Sequence, residues 1–210
     1  MPDLDPVVNC VFPVAGGAIP VEHGYALYGA LKQVWPDIQA YDWLQVGSIA
    51  PLCRRRGQTW IGRDATLLLR CPVSRLVTLF ALAETVHAVD QGEIALGRPV
   101  ISQLQPSPVV YSPFVTCKIH NASESFYAWD DLSLSRFLAG VDARLAMLGV
   151  QSGRAHVDIT RPRWLHIKDG GASGYSVALV GCTDAESLHL QTTGLGGRRR
   201  MGCGVLVPWA

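Results

Sequence analysis

Two successive runs of strand, helix, strand, strand, helix, strand predict an α+β chain of two tandem ferredoxin-like (RRM-like) βαββαβ domains. Three observations carry this reading. Apolar runs of strand length alternate with stretches whose apolar residues recur at helical spacing. The same order is met twice. Between the two runs lies the stretch 102–108, where Pro106 and Pro108 mark a link. The expected domains are 1–104 and 109–210.

In the first run, Val7 to Val14 reads as a buried strand that ends at Pro13 and a Gly16-Gly17 turn. After Pro20, a helix is expected from Val21 to Trp35, with Leu27, Ala30, Leu31 and Val34 on one face and Pro36 as its stop. Val46 to Ile49 and Thr59 to Gly62 read as a strand broken around Arg54-Arg55-Arg56, and Ala65 to Cys71 as a clearer one. Pro72 suits the first turn of a helix that carries Leu76, Val77 and Phe80 inward. Val86 to Val89 and Glu93 to Leu96 close the run as a hairpin across Asp90-Gln91-Gly92.

In the second run, Val109 to His120 reads as a strand. Leu134, Phe137, Leu138, Val141, Leu145 and Leu148 then mark the apolar face of a long helix that Gly149 stops. Arg154 to Thr160 and Arg163 to Lys168 are extended, and Ser173 to Gly181 follows a Gly170-Gly171 turn. Thr183 and Glu186 form a capping-box pattern, opening a helix that ends at Gly194. Val205 to Val207 supplies the last strand.

With 210 residues, 49% apolar and 17% charged, the chain is a folded globular protein rather than a disordered one. Formal net charge is only +1, and lysine occurs only at positions 32, 118 and 168. Positive charge is therefore nearly all arginine, in clusters at 54–56, 161–163 and 198–200, which argues for a confined polyanion site on a neutral protein. The six cysteines (Cys10, Cys53, Cys71, Cys117, Cys182, Cys203) stand singly. Cys117 and His120 have no second pair nearby in sequence, so no structural zinc is expected, and buried free thiols in a reducing compartment are. No signal peptide opens the chain and no apolar stretch is long enough to cross a bilayer, so no membrane association and a cytoplasmic location are expected.

The most distinctive segment is Gly194-Leu195-Gly196-Gly197-Arg198-Arg199-Arg200-Met201-Gly202-Cys203-Gly204, followed by Val205-Leu206-Val207. Glycines let a backbone turn and let another polymer approach closely. Arginines bring planar donor forks suited to phosphate oxygens. Such a loop could hold a phosphodiester chain; a solvated glycine-rich hairpin with incidental arginines is the plain alternative. A dinucleotide fingerprint does not fit, because a helical pattern precedes the loop, a strand-like run follows it, and Arg199 stands where a third glycine is needed.

Helix, this glycine-rich loop, then a final strand resembles the signature of the CRISPR-associated RAMP superfamily. Within it the chain is most similar to the repeat-processing endoribonucleases, the Cas six family. The segment His23-Gly24-Tyr25-Ala26-Leu27-Tyr28-Gly29-Ala30-Leu31 looks like its short variants. The resemblance implies binding of CRISPR repeat RNA and its cleavage without metal or cofactor. A ribose 2′-hydroxyl attacks the adjacent phosphodiester, leaving a 2′,3′-cyclic phosphate and a 5′-hydroxyl. It further implies retention of the crRNA hairpin and association with other Cas subunits of an interference complex.

That chemistry needs a base for the 2′-hydroxyl, an acid for the leaving oxygen and positive charge at phosphorus. His23, expected in the first turn of the first helix, is the candidate base; packing in line with Leu27, Ala30 and Val34 is its alternative role. Tyr25 and Tyr28 are candidates for positioning the ribose or supplying a hydroxyl. Lys168, Lys118 and the arginines are the candidate cations; His120 and His166 lie near these lysines. Gly194, Gly196, Gly197, Gly202 and Gly204 are expected to offer backbone contacts, and Arg198, Arg199 and Arg200 phosphate contacts. An alternative role for Arg198, Arg199 and Arg200, compatible with the first, is to bridge the two domains through carboxylates such as Asp184 and Glu186. The competing reading is a non-catalytic RAMP-type RNA-binding subunit. An unrelated RRM-type module ranks last, since no strand carries its aromatic signature.

Overall fold

The computed structural model describes residues 5–49, 53–55, 57–117, 131–168 and 170–209. Arg56, Lys118, His120 and the far end of the strand expected to reach His120 lie outside the described residues. By contact the chain divides into Met1–Leu104 with Arg200–Gly202, and Gln105–Arg199 with Cys203–Ala210.

The first unit runs β1 (Val7–Gly16), β2 (Ala18–Pro20), α1 (Gly24–Val34), β3 (Gln45–Val46), β4 (Cys53–Arg55), β5 (Gln58–Trp60) and β6 (Thr66–Pro72). There follow α2 (Leu76–Leu79), set between the 3-10 turns Val73–Arg75 and Phe80–Leu82, then β7 (Val86–Val89), β8 (Gly92–Leu96) and β9 (Val100–Gln103). Its main sheet is antiparallel in the order β3-β6-β1-β8-β7, with β9 also paired to β1. A separate small sheet has the order β2-β5-β4. Alternation along β1 buries Cys10, Phe12 and Val14 with Leu67 and Leu69 of β6, under Leu27, Ala30 and Leu31 of α1.

The second unit runs β10 (Val109–Val115), α3 (Asp131–Met147), β11 (Arg154–Ile167), β12 (Gly170–Val180), α4 (Asp184–Thr193) and β13 (Val207–Pro208), with sheet order β11-β12-β10-β13. Phe137, Val141 and Leu145 of α3 and Leu190 of α4 cover Val110, Val177 and Leu179. In both units the opening strand lies between the third and fourth major strands, the ferredoxin-like order, so the fold is α+β with two tandem ferredoxin-like domains. The thiols of Cys10, Cys71, Cys117, Cys182 and Cys203 are free. Burial pushes Cys10 up to about 12 and Cys71 to about 11.

Five local expectations are corrected. Helix α1 starts at Gly24 rather than Val21, because β2 pairs with β5 and the Val21 amide bonds the Gly57 carbonyl at 3.0 Å. In the 73–82 segment Leu79 and Leu82 are buried, while Val77 is 77% and Phe80 47% exposed. The flanking 3-10 turns advance 120° per residue instead of 100° and rotate the inward face. Gly170 and Gly171 are not the turn but paired strand residues, opposite Ile167 and His166. A Cβ on Gly171 would lie 2.6 Å from Trp164 Cε2, so the glycine makes room for that indole. The last strand is Val207–Pro208, since Val205 and Leu206 are drawn into the interior at 4% and 0% exposure. Residues 102–103, expected in the link, belong to β9.

Strand β3 is short and is held by more than its ladder. Arg70 of β6, 0% exposed, donates from Nε to Asn9 Oδ1 at 2.9 Å and from Nη1 to Gln45 Oε1 at 3.5 Å. Burial lowers this guanidinium to about 10. Gly47 then donates to the Leu68 carbonyl at 2.7 Å, which fixes the path of Ser48 and Ile49.

Candidate functional site

The loop 194–204 is shaped by its own backbone. Helix α4 opens with the expected capping box at Thr183 and Glu186 and closes on Gly194, at φ +71, whose amide bonds the Leu190 carbonyl at 2.8 Å. Leu195, 0% exposed, anchors the loop in the second core and its amide bonds the Gly204 carbonyl at 2.9 Å. Gly197 and Gly204 donate to the Thr116 and Phe114 carbonyls, at 3.0 and 2.7 Å. The chain thus returns beside β10.

Most of the loop glycines are committed to this closure. At Gly196 a Cβ would stand 2.3 Å from the Thr116 carbonyl oxygen, and at Gly204 1.9 Å from that of Leu195. Gly194, Gly196, Gly202 and Gly204 all have positive φ. Gly197 differs: it is exposed and meets nothing closer than Thr116 Oγ1 at 3.9 Å. Gly197 therefore has the open face that an approaching polymer needs, and its neighbour Arg198 is exposed with φ +57.

The three arginines are not equivalent. Arg199 donates from Nη1 to the carbonyl of Thr193, the last residue of α4, where a cation also complements the helix dipole. Arg198 is exposed and Arg200 half-buried. Bridging through Glu186 is not what the arginines do. Its carboxylate accepts from the amides of Gln151 at 2.6 Å, Ser152 at 2.8 Å and Thr183 at 2.9 Å, and from the Thr183 hydroxyl at 3.1 Å. The Ser152, Thr183 and Gln151 amides hold it at about 2.

His23 is the N-cap residue of α1 and is 3% exposed. Its Nδ1 lies 3.1 Å from the Pro20 carbonyl oxygen and its Nε2 accepts from the Ile49 amide at 3.0 Å. An amide can only donate, so Nε2 carries the lone pair and Nδ1 the proton. The neutral tautomer is selected by the backbone on both sides of the ring. One residue earlier, Ser48 donates from Oγ to the Gly202 carbonyl at 3.3 Å. A Cβ on Gly202, at φ +78, would sit 2.9 Å from Ser48 Oγ and 3.9 Å from Gly24 Cα. Within the first unit, Ser48-Ile49 therefore holds the loop residue Gly202 with one member and His23 with the other.

Tyr25 and Tyr28 are half-buried on α1 and stack on each other, ring centroids 6.4 Å apart. Tyr28 also packs against the first core. Lys168 stands exposed at the β11–β12 turn with φ +47, in an element apart from the loop. His166 is exposed beside Trp164, their rings edge to face at 6.2 Å. Sequence reasoning missed Pro20, Ser48, Ile49, Phe114 and Thr116. Four of these act through backbone groups, which leave no side-chain signature; Ser48 is an ordinary loop serine in any reading of the sequence.

The family model described as Cas6 Crispr matches residues 8–210. The CRISPR-associated endonuclease Cas6 of Myxococcus xanthus (strain DK1622) is 32% identical over 201 residues, covering 96% of this chain and 81% of that protein. Among solved structures, a Cas6-related protein from Pyrococcus furiosus superposes with a TM-score of 0.65 at 14% identity, covering 95% of this chain and 97% of that one. Thermus thermophilus Cse3, bound to an RNA representing a pre-cleavage complex, has a TM-score of 0.50 at 12% identity, covering 96% and 98%. The chain belongs to the Cas6 family.

Proposed function

We propose that this protein is an endoribonuclease that binds CRISPR repeat RNA and cuts it during crRNA maturation. The observation that carries the reading is that, within the first unit, the dipeptide Ser48-Ile49 bonds Gly202 with one residue and a buried, neutral His23 with the other. Membership of the Cas6 family supports it.

The proposed cut is metal-independent. His23 takes the proton of the ribose 2′-hydroxyl on Nε2; the 2′-oxygen bonds to phosphorus as the bond to the 5′-oxygen breaks, and that oxygen is protonated as it leaves. The products are a 2′,3′-cyclic phosphate and a 5′-hydroxyl. The Pro20 carbonyl keeps its bond to Nδ1–H throughout, so it orients the ring and stabilises the imidazolium. The Ile49 amide has to yield Nε2 before the proton can move, so substrate binding is coupled to a small displacement of the 48–49 backbone. Tyr25 or Tyr28 serves the ribose or the leaving oxygen. Gly197, Arg198 and Arg200 meet the RNA backbone, with Lys168 as a further phosphate contact. Gly194, Gly196, Gly202 and Gly204 act by shaping the loop, and Arg199 by holding it to α4.

A second reading, a non-catalytic RAMP-type RNA-binding subunit, is favoured by one observation: both ring nitrogens of a buried His23 are already engaged. The test is incubation with labelled repeat RNA from the host's own CRISPR array in excess EDTA, with analysis of the product ends. Cleavage that survives EDTA and leaves a cyclic phosphate is expected. Cleavage lost in EDTA and restored by a divalent cation would overturn the metal-independent route. Binding without any cleavage would move the protein to the second reading.

A further inference from the structure

We propose that Arg163 is a positioning residue for RNA binding: it pins a bulge of β10 on which the glycine-rich loop is seated, rather than contacting phosphate itself. The inference rests on the RNA reading above and adds to it a residue of the 161–163 basic cluster.

β10 is irregular where the loop meets it. Ser112 pairs with Val177 and Val115 with Tyr175, three steps along β10 against two along β12, so β10 holds one extra residue. Gly174 makes room for it: a Cβ there would lie 1.9 Å from the Val115 carbonyl oxygen and 2.9 Å from Phe114 Cε2. The loop is seated on this stretch and just beyond it. Gly204 donates to the Phe114 carbonyl at 2.7 Å and Gly197 to the Thr116 carbonyl at 3.0 Å. The Thr116 hydroxyl donates in return to the Gly197 carbonyl at 3.3 Å. Gly197 is the loop glycine with an open face, so the path of β10 decides where that face stands.

Arg163 is half-buried and pairs with Gly174 in the β11–β12 ladder. With no side chain at Gly174, the guanidinium crosses β12 to reach β10. Its Nη1 donates to the Pro113 carbonyl at 2.9 Å, and its Cζ lies 4.8 Å from the centroid of the Phe114 ring. Ser176 Oγ donates to the same carbonyl at 2.9 Å. Arg163 thus holds both Pro113 and Phe114, the two residues inside the register shift. A planar fork can donate and stack at once, which the point charge of a lysine does not reproduce.

The experiment follows amide hydrogen exchange in the 15N-labelled full chain at Gly197, Gly204 and the buried strand residue Leu179, alongside affinity for repeat RNA at several salt concentrations. Parent, Arg163→Gln, Arg163→Lys, Ser176→Ala and Arg198→Ala are compared. Both Arg163 variants should exchange about 10-fold faster or more at Gly197 and Gly204, the loss of one charge-assisted hydrogen bond, with Leu179 unchanged. Both should bind RNA several-fold more weakly with a near-parental slope of log affinity against log salt, whereas Arg198→Ala lowers that slope by about one. Ser176→Ala removes the uncharged donor to the same carbonyl. It should shift exchange and affinity the same way by less, and it decides the matter if an arginine variant does not fold. Parental affinity in Arg163→Lys with a lowered slope in Arg163→Gln would make Arg163 a direct phosphate contact and overturn the inference. Parental exchange at both glycines, or faster exchange with parental affinity, would overturn it too. Each of these leaves the endoribonuclease reading standing; failure of the parent to bind repeat RNA at all would remove both.

Discussion

The Ile49 amide donates to Nε2 of His23 at 3.0 Å, so the nitrogen proposed to take the proton holds a backbone hydrogen bond in the absence of RNA. His23 is thus both a structural clamp and the candidate base. Replacing it with alanine strands two backbone groups, the buried Ile49 amide and the half-buried Pro20 carbonyl. We expect His23→Ala to lose on the order of 1–3 kcal/mol of stability, read as a lower urea midpoint with unchanged m-value.

Ser48 is coupled to Gly202. Ser48→Ala removes one half-buried hydrogen bond and should cost about 1 kcal/mol or less in stability. Gly202→Ala should cost more, about 1–3 kcal/mol, from a positive φ and from a Cβ 2.9 Å from Ser48 Oγ. In a double-mutant cycle, Ser48→Ala relieves part of that cost because the crowding hydroxyl is gone, so the two changes are less than additive. Strict additivity would mean that the contact carries no energy.

The loop glycines divide into two kinds. Gly204→Ala, with a Cβ 1.9 Å from the Leu195 carbonyl oxygen, should destabilise the second domain by more than about 1 kcal/mol. Gly197→Ala meets nothing closer than Thr116 Oγ1 at 3.9 Å and should leave stability within about 0.5 kcal/mol while weakening RNA binding. Thermal unfolding paired with a binding titration separates them. A Gly197→Ala protein that unfolds early but binds normally would reverse the assignment.

Glu186 should govern part of the acid limb. Its carboxyl binds a proton more weakly folded, at about 2, than unfolded, near its ordinary 4.5. Its contribution is present above the unfolded value and disappears as pH falls through the folded one. Glu186→Gln should therefore be less stable than the parent at neutral pH, with the two converging as pH drops from about 4.5 toward 2, in unfolding curves taken across that range.

The two βαββαβ runs and the loop were legible because periodicity, the capping box and a run of glycines and arginines are local signals. The small β2-β5-β4 sheet was not, since three-residue strands have no period to detect, and it displaced the start of α1 by three residues. The outward turn of Val77 and Phe80 escaped notice because 3-10 and α spacing differ by only 20° per residue. His23, Tyr25 and Tyr28 could be nominated from residue type and position. That His23 is pinned by Pro20 and Ile49 could not, because both partners use main-chain atoms that every residue possesses. The same limit hid the division among the glycines, whose crowding depends on carbonyls of Thr116 and Leu195.

The role proposed for His23 is to take the proton of the ribose 2′-hydroxyl. Its most direct test is single-turnover cleavage of the repeat RNA in EDTA by the parent and by His23→Ala, with affinity measured for both. A general base is worth about 10²–10⁴-fold, so the variant should cleave at least about 100-fold more slowly while binding within a few-fold of the parent. A variant that cleaves at nearly the parental rate would contradict the account and leave His23 as the clamp between Pro20 and Ile49 alone.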